Sequence, residues 1–251
     1  GVVSVPEPDQ PLVGATVTST HPHWSTADQR FFWNREACKE LLAAGADTFI
    51  TPIINGYVDS VTRAALASVD AVSLLLVSRR ATTRQGTRFN MRGADDAGNV
   101  ANYVETEQIV KRVSDGAVFS YVQIRGSIPL LWEQPVTLKY TPKVRLAGEG
   151  GAATATATAA IAPAGETRGD GGGPGPRSQL AFKRHFDVQL GRYGRVTVIN
   201  LIDKKKDQQA LGEAYRTATS RLGDERLHYV WFDFHHECRN MKWFNLSKLV
   251  G

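Results

Sequence analysis

Five arginines fall within fourteen residues, at Arg79, Arg80, Arg84, Arg88 and Arg92. A guanidinium is planar, always charged and forked, so it matches two oxygens of a phosphate or carboxylate at once. The segment reads either as a phosphate-facing surface or as a solvated basic strand. Phe89 is the one aromatic residue interleaved with these arginines, too little for a nucleic-acid stacking platform. No nucleic-acid partner is expected. Glu105 and Glu107 follow, with Gln108 beside them. In a strand the two carboxylates share a face. They can act as an acid–base pair or neutralise the upstream arginines, and the second reading is preferred. His235, His236 and Cys238 make a third cluster. A structural zinc site needs four ligands in paired spacings. Cys38 is isolated, and His21 and His23 lie in a Pro-containing stretch. No metal is expected. The chain carries no glycine-rich dinucleotide fingerprint, Walker loop or Gly-x-Ser-x-Gly elbow, and no cofactor is expected.

These groups need a scaffold, and 251 residues with 42% apolar content suffice for one large domain or two small ones. No apolar run approaches the 18 residues a membrane helix needs. The first ten residues lack a signal-peptide pattern, and the chain opens on Gly1, which reads as an internal fragment. A net charge of +5 suits an acidic partner or a solubilising surface. Two distant cysteines are no disulfide framework and point to a reducing compartment.

Residues 35–44 read as a helix capped by Asn34 and stopped by Gly45. The branched apolar runs 48–54 and 71–77 read as buried strands, and 118–124 as another. Residues 95–99, DDAGN, carry turn chemistry. Composition then shifts. Residues 147–178 are mostly Gly, Ala, Thr and Pro, have almost nothing large to bury, and read as a disordered surface insertion. Residues 195–202 read as a strand. Leu211, Tyr215, Ala218 and Leu222 then form one helical face ended by Gly223. Residues 227–234 read as a second strand and 237–250 as a helix with Met241, Phe244 and Leu249 on one face. Strand, helix, strand with short loops implies parallel neighbours. Ligands in such sheets sit beyond the carboxyl ends of the strands, which singles out Asp203, Lys204, Lys205, His235, His236 and Glu237.

Read in order, several blocks resemble one family. They are RFFWN at 30–34, SRRATTRQGTRFNMRGADDAGNVANYVETEQIV at 78–110, and SYVQIRGSIPLLWEQ at 120–134 followed by LKYTP. FKRHFDVQLGRYG, VINLIDKK, and FDFHHECRNMKW at 232–243 continue the match. Together they resemble the Sac-domain phosphoinositide phosphatases, with the closest likeness to the membrane-anchored type of the Golgi and endoplasmic reticulum.

The resemblance implies an α/β fold, a mixed sheet with flanking helices. Residues 1–29 would be the tail of an N-terminal subdomain, 30–146 the first part of the catalytic domain, 147–178 the insertion and 179–251 a βαβα continuation. It implies metal-free removal of phosphate from phosphatidylinositol phosphates, with the 4-phosphate favoured, at the cytoplasmic face of those membranes. Protein partners are not implied. The family's nucleophile is a cysteine in a Cys-x5-Arg loop, where a thiolate attacks phosphorus and the arginine holds the oxygens. Here the sixth residue after Cys38 is Ala44 and after Cys238 is Phe244, so no nucleophile is assigned and this chain alone is expected to be inactive. Arg84, Arg88, Arg92, Asn102, Glu105, Glu107, Gln108, Arg125, Arg184, His185 and His235 match motif positions and are the candidates to face the substrate phosphate. The alternative is a catalytically inactive module that binds acidic phosphoinositide or a protein.

Overall fold

The computed structural model describes residues 23–63, 71–87, 90–135, 143–147 and 173–249. The chain divides into two compact units, Gly1–Asn55 and Gly56–Gly251. In the first, the expected helix shrinks to α1, Lys39–Ala43, preceded by turns. Asn34 does not cap it. Its amide donates to the Thr51 carbonyl at 3.0 Å and accepts from the Ile53 N–H at 2.8 Å. A side chain already satisfied by distant backbone has nothing left for the first amides of a helix. The expected strand at 48–54 is absent: Asp47–Phe49 is a 3-10 turn, and the extended residues after it bond to Asn34 and to the Trp33 N–H rather than to a strand. Phe32, Cys38 and Ile50 form the small core of this unit, so the Cys38 thiol is packing.

The second unit opens with four strands, β1 Gly56–Arg63, β2 Val72–Arg80, β3 Val104–Arg112 and β4 Val118–Arg125, paired antiparallel in that order. The run expected as a buried strand at 71–77 overlaps β2, which is half-buried along its length, and the run at 118–124 lies inside β4. Residues Trp132–Glu133 (β5) and Arg145–Leu146 (β6) pair antiparallel. Of the expected insertion, residues 148–172 lie outside the described residues. The chain is described again from Gly173, and Ser178 is already buried in a helix.

That helix, α2 at Pro176–Tyr193, has Pro176 in its first turn and Gly194 at φ +75 beyond its last. Ala181, Phe182, Phe186, Gln189 and Leu190 recur at three- and four-residue spacing and are buried. Strand β7 Val196–Asn200, helix α3 Lys206–Leu222 and strand β8 Leu227–Trp231 follow, and β7 and β8 are parallel as expected. Gly223 ends α3 in the left-handed conformation. The buried face of α3, with Leu211, Ala214, Tyr215 and Ala218, shares one core with Leu130, Trp132, Phe182, Phe186, Leu190 and Leu227. Removing each large apolar side chain from water contributes roughly 1.5–3 kcal/mol, and this core fixes β7 and β8 against α2.

After β8 the expected helix over 237–250 is replaced by α4, Phe234–Glu237, and two 3-10 turns, Arg239–Met241 and Trp243–Leu249. Asn240 and Met241 both have positive φ, which breaks any helical continuation. The Asn245 amide and the Lys248 ammonium both fold back onto Glu237. Met241 and Phe244, expected on one helical face, are 79% and 72% exposed. The architecture is mixed α/β with flanking helices, as expected, with the antiparallel and parallel strands in separate sheets.

Candidate functional site

The sequence candidates gather in two places of the second unit. The first is the end of the antiparallel sheet and the loop joining β2 to β3. Register places Glu105 opposite Arg79 on β2, and Glu105 is buried. Arg79 Nη2 donates to Glu105 Oε1 and, at 3.4 Å, to Glu107 Oε2. Tyr193 on α2 donates its hydroxyl to the other Glu105 oxygen, and Tyr103 donates to Gln189 at 3.2 Å. Glu107 also accepts from the Ser120 hydroxyl at 2.7 Å. The carboxylates therefore neutralise an upstream arginine, the preferred sequence reading. Gln108 alternates onto the other face of β3 and is exposed.

In the loop, Arg84 and Asn102 both hold positive φ, at 49° and 54°, and the Asn102 N–H donates to the Arg84 carbonyl. Non-glycine residues in this region cost on the order of 1 kcal/mol and persist only where surroundings hold them. The Asn102 side chain accepts from the Gly86 N–H at 3.3 Å, and Arg84 Nη2 donates to the Arg92 carbonyl at 2.9 Å. Arg92 donates to Gln134 at 2.9 Å and lies 5.6 Å over the Trp132 ring. Arg88 lies outside the described residues. Arg125 ends β4, opposite Val104, and is exposed.

Arg184 and His185 do a different job. Arg184 donates to the Asp96 carbonyl at 2.5 Å, and His185 Nδ1 sits 3.0 Å from the Gly98 carbonyl. Arg177 adds two bonds of 2.6 Å to the Asp96 carboxylate. These side chains dock the 95–99 turn onto α2. Gly98 has φ +86, and a Cβ there would come within 2.6 Å of the His185 nitrogen, so the approach needs glycine. Burial pushes His185 down to about 4, against a small raising effect of its bond to Gly98.

The second place is the carboxyl end of the parallel pair. Asp203 follows β7 and His235 follows β8, and His235 Nδ1 lies 2.7 Å from Asp203 Oδ1. Asp233 ties the two loops together: one oxygen accepts from the Lys204 N–H and the other from the His236 N–H, both at 3.0 Å. Burial raises the Asp233 carboxyl, but these amides, with His236 and Lys205, outweigh it and hold it below the usual range. Cys238 is buried. Asp203 and His235 were legible from the topology. Tyr103, Gln189, Tyr193 and Asp96 were not, because their partners lie more than 80 residues away.

Residues 10–239 match the SacI homology domain. This chain belongs to that family. It is 36% identical to phosphatidylinositol-3-phosphatase SAC1 of Saccharomyces cerevisiae over 236 residues, which is 90% of this chain and 33% of the relative. Phosphatidylinositol-3-phosphatase SAC1-B of Danio rerio is 35% identical over 225 residues, 89% of this chain and 33% of the relative. Phosphoinositide phosphatase SAC8 of Arabidopsis thaliana is 36% identical over 228 residues, 91% and 33%. The chain thus spans about a third of the length of the curated SacI-homology relatives it matches.

Proposed function

We propose that this chain is part of a phosphoinositide phosphatase, hydrolysing a phosphate monoester on the inositol ring of a membrane lipid, with the 4-phosphate as favoured position. The observation that carries this reading is the SacI homology match over 230 of 251 residues, from 10 to 239, with relatives named as phosphoinositide phosphatases. The nucleophile is a cysteine of a Cys-x5-Arg loop lying outside these residues, since neither Cys38 nor Cys238 has arginine six positions on. The lipid headgroup and a membrane surface are its partners, at the cytoplasmic face of the endoplasmic reticulum or Golgi. Among the described residues no helix is long and apolar enough to cross a membrane. On this reading Arg84, Arg88, Arg92, Asn102, Glu105, Glu107, Gln108, Arg125, Arg184, His185 and His235 are the candidates to lie at or near the substrate phosphate. The alternative is a catalytically inactive module that binds acidic phosphoinositide or a protein partner. The test is phosphate release from vesicles carrying phosphatidylinositol 3- or 4-phosphate. It compares the 251-residue chain with the longest open-reading-frame product that contains it. The longer product should release phosphate, faster from the 4-phosphate, and the chain alone should release none. Binding without release by both would select the inactive module, and a faster 3-phosphate reaction would correct the favoured position.

A further inference from the structure

We propose that Asp203 and His235 form a phosphate-binding pair in which Asp203 orients the ring through Nδ1 and His235 offers Nε2–H to an oxygen of a phosphate monoester. The inference deepens the reading of the chain as acting on a phosphorylated lipid and rests on it for the ligand class.

The topology supplies the location. Both residues lie just beyond the carboxyl ends of parallel strands, where open α/β sheets take their ligands. The geometry supplies the tautomer. An ionised carboxylate only accepts hydrogen bonds, so the 2.7 Å contact places a proton on Nδ1. Nε2 is then the nitrogen left for another partner, and the His235 side chain is 80% exposed, so a ligand can reach it. The two loops are held in mutual register by Asp233, which bonds the backbone of each. The Asp203 N–H donates to the side-chain oxygen of Gln208 at 3.0 Å. Histidine and aspartate therefore meet on a fixed frame, which keeps the ordering cost of binding low.

Charge completes the case. Lys205 and His236 act on Asp233, which holds the two segments together, and Lys204, Lys248 and His236 act on Glu237, which Lys248 matches at 2.7 Å. In the imidazolium form both ring nitrogens of His235 carry protons, so Nδ1–H stays on Asp203 while Nε2–H makes a charge-assisted bond to an oxyanion. His185 offers no such group, because its ring lies edge-on to Phe186 and is bonded to the Gly98 carbonyl.

The experiment follows the histidine ring resonances of the 251-residue chain by NMR. Inorganic phosphate or myo-inositol 4-phosphate is titrated in at several values between about pH 5.5 and 8, bracketing ordinary imidazole titration. The His235 ring signals should move on binding, and the pH dependence of affinity should differ from that of His235→Gln, which keeps only the ligand's own ionisation. His235→Gln should weaken binding roughly tenfold, the scale of one charge-assisted bond. Asp203→Asn should weaken binding and alter its pH dependence, and Asp203→Glu should restore part of both. A merely structural Asp203 would lower Tm and leave the pH dependence of binding intact. Circular dichroism establishes that each variant is folded, and Asp203→Glu carries the test if Asp203→Asn is not. Tighter binding of the inositol phosphate than of free phosphate assigns the site to the lipid headgroup, and equal binding assigns it to free phosphate. His235 signals unmoved by millimolar amounts of both ligands, or unchanged affinity in His235→Gln, would overturn the pair. Those results would leave the phosphatase reading standing. Binding by this pair without phosphate release from any longer product would leave the pair and remove the reading.

Discussion

Two histidines divide the second unit between them. His185 sits on α2 with its ring bonded to the Gly98 carbonyl and held down to about 4, so it stays neutral and serves as a clamp. His235 is 80% exposed on the short helix α4 after β8, hydrogen-bonded only to the carboxylate of Asp203 among the described residues. Both came from the sequence as candidates to face a phosphate, and residue type alone could not separate them. What separates them is solvent. The region around His185 joins α2 to the sheet end through partners that face each other and leave little room for a ligand. The region around His235 spends its backbone bonds on fixing two loops and leaves an imidazole nitrogen facing outward. The contrast teaches that a motif position can be kept busy by folding in one place and left open for a ligand in another.

The comparison breaks most sharply at Glu105. Glu105→Ala leaves Arg79 beside a buried, empty position and removes the acceptor of Tyr193. Breaking a buried pair this way costs about 3–5 kcal/mol, read as a lower urea midpoint with unchanged slope. A loss below about 1 kcal/mol, the range of surface pairs, would show that the network is not structural.

Next comes pH. The folded-state value of His185, about 4, lies below the ordinary value near 6.5, so the unfolded chain takes up this proton first. Stability is nearly flat above about pH 7 and falls by about 3 kcal/mol as pH drops toward 4. His185→Gln should flatten that stretch of the stability curve. An unchanged curve would return His185 to the class of accessible histidines.

The smallest effect belongs to the other histidine. His235→Gln should change the unfolding free energy by less than about 0.5 kcal/mol, as for most exposed positions. A loss of 2 kcal/mol would make Asp203–His235 a structural bond and erase the contrast.

Most of the scaffold was legible. The face Leu211, Tyr215, Ala218 with Gly223 beyond it gave α3 because a 3.6-residue period and a left-handed terminator are local signals. β2, β4, β7 and β8 were legible as branched apolar runs. The failures have a common cause. Asn34 looked like a cap until Thr51 and Ile53 took its amide. The segment after Glu237 looked helical until Asn245 and Lys248 folded it back. In both, a side chain bonded at a distance that no local pattern encodes. Helix α2 was not read from the sequence, because its first turn abuts a glycine-rich stretch and only its FKRHFDVQLGRYG block was noted in the resemblance. At the site, the arginine run was legible as basic, but its ties to Gln85, Gln134 and Glu105 were not.

The contacts that dock α2 have one more consequence, in polymer terms. Asp96–Arg177, Tyr103–Gln189 and Glu105–Tyr193 close loops of 81, 86 and 88 residues, and every one of those loops contains residues 148–172. The entropy of closing a loop grows only as the logarithm of its length. Deleting the 25 residues from 148 to 172 would ease closure by about 0.3 kcal/mol, and doubling the loop would cost about 0.6. The length of that Gly-, Ala- and Thr-rich stretch is therefore nearly free to drift among related sequences, while the side chains that meet across it are not.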